Sequence, residues 1–120
     1  MSEQRVIIEM GTGNDQYGMD YTKAAARAIE DAIRHSALPI FASLDLSTDA
    51  MRVQVTVAVQ EPDKVDTGAL AAKLPRGHAE VRAVKGGLNV ENPAGNTIVV
   101  ASAAVEAFLP PQAGWKLRRQ

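Results

Sequence analysis

A glycine-rich segment between a short apolar run and a helix-forming run most constrains the fold of this chain. The apolar run at residues 6–8 predicts a strand over residues 5–10, and Gly11, Gly13 and Gly18 follow it closely. Glycine accepts positive φ angles and lets the backbone approach a ligand or another chain. The segment therefore predicts a strand, a tight loop and a helix in succession, with a candidate binding loop at the strand end.

The most regular helical pattern follows this loop. Asp20 or Thr22 can cap a helix over residues 23–36, in which alanine is abundant. Apolar side chains recur at the i, i+4, i+7 and i+8 spacing that gathers them on one buried face, and charged side chains occupy the opposite face. Pro39 prevents the helix from continuing. The pattern therefore predicts an amphipathic helix that covers a sheet.

Alternation of apolar and polar residues predicts the strands. Valine alternates with polar or small residues over residues 51–59, which is typical of a strand with one buried face. Gly86 and Gly87 kink the chain after a second alternating run. The last apolar run is apolar on both faces and is therefore predicted to be central. The remaining predicted elements are strands over residues 40–46, 78–84, 88–90 and 97–105 and a helix over residues 66–74.

With residues 78–90 taken as one kinked strand and the short strand at residues 40–46 left aside, the chain order is β-α-β-α-β-β, which predicts an α+β fold. We expect a single domain over residues 1–109, with a mixed sheet covered by helices on one face, and a C-terminal tail over residues 110–120. The other face of the sheet must meet solvent or another subunit. Its mixed polarity suits an interface that holds water and ligand. Four polar side chains are predicted there: Gln54, Thr56, Glu80 and Arg82.

Composition narrows the class of function. The 120 residues include 46 % hydrophobic and 22 % charged residues, and the formal net charge is −1. No overall field therefore favours nucleic acid or an anionic membrane as a partner, and no apolar run has the length of a membrane span. The absence of cysteine excludes disulfides, thiol nucleophiles and thiolate metal sites. We expect a cytoplasmic protein with neither nucleic-acid nor membrane partners.

The scarcity of aromatic residues bears on assembly. Aromatic residues make up only 4 % of the chain, so alanine and valine must fill the core. Because such small side chains bury little area each, a sheet built from them gains stability when its second face is buried against a neighbouring subunit. The composition therefore favours a homo-oligomer.

The glycine-rich loop holds the candidate chemical groups. Asp15 and Lys23 are candidate acid/base groups, Tyr17 is a candidate hydrogen-bond donor, and Asp20 and Thr22 are candidate ligand-binding groups. The glycines of the loop could offer backbone N–H groups to a small-molecule ligand. The alternative interpretation is structural, with the glycines forming a tight turn, Asp20 capping the helix and Tyr17 packing. Both interpretations stay open at this point.

The sequence lacks the familiar nucleotide-binding and metal-binding motifs. Gln16 occupies the position of the third glycine in a dinucleotide fingerprint. Met19 and Asp20 stand where a phosphate-binding loop requires lysine and a hydroxyl residue. His35 and His78 lack the spacing of metal ligands. The sequence therefore predicts no cofactor and no metal site.

Lys85 and Gly86 form a second candidate site. A lysine at a strand end beside two glycines can point into a pocket and act as a base or as a partner for an anion. The alternative is a β-bulge with a solvated lysine, which the same residues would form without any ligand. We keep Lys85 and Gly86 as candidate ligand-binding residues.

The loop resembles the signature G-x-G-x-D-x-H-G of a Lin-type family of conserved hypothetical proteins, over about residues 5–109. Tyr17 stands where the signature has histidine. A phenol titrates near 10, so proton transfer that depends on imidazole near neutral pH is not expected here. The resemblance implies no established activity. The matching positions are Gly11, Gly13, Asp15, Gly18 and the run at residues 20–25.

The order of elements is similar to that of Bacillus-type chorismate mutase and of the repeat in ring-opening cyclic amide hydrolases. Such mutases are typically trimers with ligand sites between subunits, which implies a homo-oligomer, with a trimer favoured. We hypothesise a small-molecule enzyme with sites at subunit interfaces, a hydrolase or isomerase of a small polar or cyclic substrate. The alternative is a non-catalytic ligand-binding or assembly protein, or one subunit of a larger enzyme.

Overall fold

The computed structural model describes residues 4–34, 52–74 and 78–109. The strand predicted at residues 40–46 and the tail at residues 110–120 lie outside the described residues. The described elements are the strands β1 (Gln4–Asp15), β2 (Arg52–Val59), β3 (His78–Lys85), β4 (Leu88–Glu91) and β5 (Thr97–Leu109), the helices α1 (Tyr21–Arg34) and α2 (Thr67–Ala72), and a 3-10 turn at Pro62–Lys64.

The five strands form one mixed sheet in the order β1-β5-β2-β3, with β4 paired to β5 beyond the end of β2. Strand β5 runs antiparallel to both β1 and β2, while β3 runs parallel to β2. The predicted α+β fold with a mixed sheet and helices on one face is confirmed, and β5 is central as predicted. The likeness to Bacillus-type chorismate mutase stays a prediction.

The core lies between α1 and one face of the sheet. The alternating valines of β2 are buried, as their pattern predicts, and they face alanines on the inner side of α1. Because both surfaces carry small side chains, the helix can approach the sheet closely. Most of the core comes from three elements, and Leu70 of α2 adds to it. The main contributors are Ala24, Ala25, Ala28 and Ala32 of α1, Val53, Val55, Val57 and Val59 of β2, and Val99, Ala101, Ala103 and Val105 of β5.

Strand β1 is longer than its apolar run predicts. It continues through Gly11 and Gly13 to Asp15, so these two glycines lie inside the strand and are buried. The prediction that they belong to a loop is wrong. A Cβ on Gly13 would lie 2.6 Å from the backbone oxygen of Ala24 and closer still to the backbone nitrogen of Ala28. The glycines are needed because the backbone of α1 occupies the space that a side chain would fill.

The kink predicted between the third and fourth strands is confirmed. The Gly86 N–H donates to the carbonyl oxygen of Val59 at 2.9 Å, which ends the parallel ladder between β2 and β3. Gly87 has a φ of +62°, and a Cβ there would lie 2.8 Å from the carbonyl oxygen of Ala58. Only glycine fits this crossing, which carries the chain over the end of β2 so that β4 pairs with β5.

Candidate functional site

Asp15 is the buried charged residue at the end of β1. Its carboxylate Oδ2 accepts the backbone N–H of Asp20 at 2.9 Å, and its side chain is 4 % exposed. The other oxygen, Oδ1, lies 3.8 Å from the amine of Lys23 and 3.8 Å from the guanidinium of Arg27. The predicted acid/base pair Asp15 and Lys23 is therefore brought together, and it joins the end of β1 to the start of α1.

The turn between β1 and α1 is tight. Gly18 has a φ of +93°, and Met19 follows at +51°, a conformation that few residues other than glycine adopt. The Asp20 carboxylate accepts the N–H of Lys23 at 3.0 Å and caps α1, as one of the two sequence interpretations predicts. Tyr17 is 71 % exposed at the tip of this turn. The turn thus presents a phenol to solvent while its acidic groups hold the backbone.

The other predicted ligand-binding residues lie apart from this turn. The Thr22 hydroxyl accepts the backbone N–H of Asp66 at 2.9 Å, which ties α1 to the cap of α2. Lys85 is exposed at the end of β3, and Gly86 lies against the side chain of Ala58. The structure therefore distributes the predicted site residues over four places: the interior of β1 with Gly11 and Gly13, the Asp15 turn, the α1–α2 junction and the glycine crossing. Their roles toward a ligand stay predictions.

A hydrogen-bonded group around Tyr21 was missed by sequence reasoning. The buried Tyr21 hydroxyl donates to the Glu61 carboxylate at 2.8 Å and accepts from the Asn89 amide at 2.8 Å. The amine of Lys64 lies 3.3 Å from the same carboxylate. The hydrogen bond from Tyr21 and the contacts with Lys64 lower the pKa of Glu61 below its ordinary value. This group connects α1, the turn before α2, and β4.

Glu61→Gln tests that connection through its pH dependence. A carboxylate whose pKa is lower in the folded state than in the unfolded state stabilises the fold at pH values above the unfolded pKa, which is about 4.5 for glutamate. This contribution to stability is lost as the pH falls through the folded-state pKa. We expect the variant to unfold at lower urea concentration than wild type at neutral pH, and the difference to shrink on acidification below about pH 4. A difference that stays constant down to pH 3, roughly the lower limit of glutamate titration, would contradict this role for Glu61.

The face of the sheet opposite α1, here called the open face, carries a shallow hollow. Its volume is about 450 Å³, and its centre crosses β1, β5 and β2. Small side chains on adjacent strands form the floor, and hydroxyl groups lie among them. The alternation that buries the valines of β2 directs the intervening side chains to this face. Nine residues line the hollow, and they include the predicted ligand-binding residue Gly11 and the carboxylate of Asp31 from α1: Met10, Gly11, Thr12, Asp31, Thr56, Ala58, Ser102, Ala103 and Ala104.

Exposed apolar side chains surround the hollow. They lie on three strands, and Met10 and Leu88 are the most exposed, at 68 % and 60 %. Several exposed large apolar side chains on one face of a protein are typical of interaction sites. The other members of this set are Ile8 of β1, Val84 of β3 and Val90 of β4.

Among the described residues, neither a metal-binding cluster nor a membrane-spanning helix is found. Across residues 4–34, 52–74 and 78–109, no group of three histidine or acidic side chains could hold a metal ion. In the same residues, no helix has both the length and the apolar character needed to cross a membrane.

Comparison with known proteins identifies relatives of the chain. The family model described as conserved hypothetical protein (Lin0512_fam) matches residues 5–107, which confirms the resemblance drawn from the glycine-rich signature. A crystal structure of an FtsZ-like protein of unknown function from Nostoc punctiforme is similar to this chain. Its TM-score is 0.80 at 36 % sequence identity, and the match covers 92 % of this chain and 99 % of the other. No curated protein matches the chain.

Proposed function

Since the chain belongs to the Lin0512 family of conserved hypothetical proteins, which implies no activity by itself, we propose its function from the site. The protein is a small-molecule-binding homo-oligomer, and its ligand lies in the hollow of the open face between two copies of the chain. Binding is favoured over catalysis because the predicted acid/base group, Asp15, already accepts the N–H of Asp20 and lies beside two cations.

The main support for the proposal is the hollow itself. A volume of about 450 Å³ falls within the range of about 300–1,000 Å³ that is common for small-molecule sites. Its apolar floor, its few hydroxyl groups and the carboxylate of Asp31 match the usual lining of such sites, in which apolar side chains surround a small number of polar groups. The hollow is open to solvent on one side, and a second copy laid on the open face would close it.

The size of the open face supports a second copy as its occupant. The strands contain 45 residues, and at roughly 3.3 Å by 4.8 Å for each residue the face has a footprint of about 700 Å². A stable interface of ordinary size buries about 800 Å² on each partner. The face also carries both signs of charge, such as the pair Arg5 and Glu106 at 3.2 Å, so two copies can meet without uniform repulsion.

The β1 edge of the sheet is a poorer candidate for association than the open face. Asp31 of α1 accepts the backbone N–H of Thr12 at 3.0 Å, and Arg27 donates to the carbonyl oxygen of Asn14 at 2.6 Å. A register shift between Arg5 and Ile7 also distorts β1 near its start. Occupied backbone groups and bulges hinder strand addition at an edge. The open face, not the β1 edge, is therefore the proposed contact surface.

Light scattering of variants tests the proposal. We expect the wild-type mass to be a multiple of 12.8 kDa, a trimer being the stoichiometry that the similarity to Bacillus-type chorismate mutase implies. Substituting Met10→Glu with Leu88→Glu places two charges in the apolar surround and should yield a folded monomer. Tyr17→Glu is the matched control, because Tyr17 is exposed at the turn and not on the open face.

The same samples test the ligand site. Amide resonances of Thr12, Thr56 and Ser102 should shift when a library of small neutral and charged fragments is titrated into the assembled protein. A wild-type chain that stays monomeric at millimolar concentration, or fragments that perturb only residues outside the hollow, would contradict the proposal.

A further inference from the structure

We infer that the ligand of the open face carries a carboxylate group, which the guanidinium of Arg82 and the hydroxyl of Thr56 bind together. The inference rests on the proposed function, because it assigns a chemical class to the ligand of the same hollow. It derives from one contact between neighbouring strands and from the charges around it.

The contact places the guanidinium at the border of the hollow. Arg82 of β3 and Thr56 of β2 are partners in the parallel register, and the Arg82 Nε–H donates to the Thr56 hydroxyl oxygen at 3.0 Å. Thr56 lines the hollow, while Arg82 lines an adjoining depression of about 290 Å³. The arginine therefore lies where the two concave regions meet.

Both groups are left with protons to donate. The Thr56 oxygen accepts from Arg82, so its own hydroxyl proton can be directed toward a ligand. The terminal nitrogens of Arg82 are additional donors in a fixed planar fork. In the part of the chain that the structure describes, no acidic side chain forms an ion pair with Arg82. Donors without an acidic partner, arranged in a fork, match the two oxygens of a carboxylate.

The surrounding charges favour a monoanion over a dianion. Glu80 lines the same depression as Arg82, and the carboxylate of Asp31 is part of the lining of the hollow. Both carboxylates would repel a doubly charged group such as a phosphate monoester. The remaining lining of the hollow accommodates the body of the ligand, since Ala58 and Ala104 form an apolar floor and Ser102 adds a hydroxyl. A small monocarboxylate with a compact apolar body fits this arrangement.

The test compares carboxylates with their neutral amides on the assembled protein. Acetate, pyruvate and benzoate are titrated against acetamide, pyruvamide and benzamide, and the Arg82 Nε–H and Thr56 amide resonances are followed by NMR. We expect at least one carboxylate to shift both resonances saturably, with affinity at least tenfold higher than that of its amide, the equivalent of about 1.4 kcal/mol.

Two variants of Arg82 test whether this residue causes the difference in affinity between carboxylates and amides. Arg82→Gln should reduce carboxylate affinity about tenfold, and Arg82→Lys, which keeps the charge but loses the fork, should restore only part of it. Arg5→Gln is the matched control, because Arg5 is on the open face but is paired with Glu106 and does not line the hollow. Its affinity should remain within twofold of wild type.

The outcomes separate this inference from the proposed function. If amides bind in the hollow as tightly as carboxylates, or if carboxylate binding is unchanged in Arg82→Gln, the carboxylate assignment is wrong while the ligand site stands. If none of the carboxylates binds, the assignment is also overturned. If the protein is monomeric and no fragment of either kind perturbs the hollow, the proposed function itself fails.

Discussion

Gly13→Ala is expected to destabilise the fold by about 3 kcal/mol. The new methyl group would meet the backbone of α1 at Ala24 and Ala28, at distances that no side-chain rotation can relieve. Either α1 moves away from the sheet, which opens gaps among the alanines and valines of the core, or β1 bends out of its ladder with β5. Because a domain of this size has a total stability of only about 5–15 kcal/mol, the loss is a large fraction of it.

Chemical denaturation with urea measures this effect, and Gly68→Ala provides the matched control. A Cβ at Gly68 would meet only the side chain of Asp66, at an ordinary distance of 3.6 Å. Since Gly68 lies in the helix α2, alanine should stabilise the protein there by about 0.5 kcal/mol. The same substitution thus has opposite signs at the two positions. A Gly13→Ala protein within 1 kcal/mol of wild type, roughly the median effect of a point mutation, would show that α1 does not press on β1.

Sequence periodicity predicted the sheet and its covering helix because both signals are local. The valines of β2 alternate, and the alanines of α1 recur at helical spacing, so each pattern shows which side is buried. The end of β1 was not predictable in this way. Glycine usually interrupts a strand pattern, whereas Gly11 and Gly13 continue the strand because a helix packs directly on their backbone. The requirement for glycine at these positions arises from a tertiary contact, and a local sequence pattern contains no information about such contacts.

The candidate site was only partly predictable for the same reason. Lys23 and Arg27 are four residues apart on α1, so their common approach to Asp15 could have been anticipated from helical spacing. The hydroxyl of Tyr21 meets Glu61 and Asn89 at separations of 40 and 68 residues, which carry no local signal. The hollow of the open face depends on the register of three strands.

The contact between Arg82 and Thr56 likewise depends on strand register. Both residues were predicted on the second face of the sheet from alternation alone, but alternation does not reveal which residue of one strand adjoins which residue of the next. The parallel pairing of β2 with β3 supplies that information, because it sets Arg82 beside Thr56. The chemical inference about the ligand therefore needed the structure, although the residues themselves were identified from the sequence.

Asp15→Ala is expected to destabilise the protein by about 2 kcal/mol, because it removes the acceptor of the Asp20 N–H at the entry to α1. Asp15→Asn keeps an acceptor of the same shape and should cost about 1 kcal/mol. The ion pairs contribute little of this, since the side chains of Lys23 and Arg27 are about half exposed.

Lys23→Gln and Arg27→Gln are therefore the controls for Asp15, and each should lie within about 0.5 kcal/mol of wild type. Fragment binding in the hollow should be unchanged in all four variants once the protein is folded, because Asp15 faces α1 and the hollow lies on the opposite side of the sheet. The contrary result, a stable Asp15→Asn protein that no longer binds fragments, would make Asp15 a ligand-contacting group. The ligand site would then lie at the glycine-rich turn between β1 and α1, as the hypothesis of a small-molecule enzyme predicts.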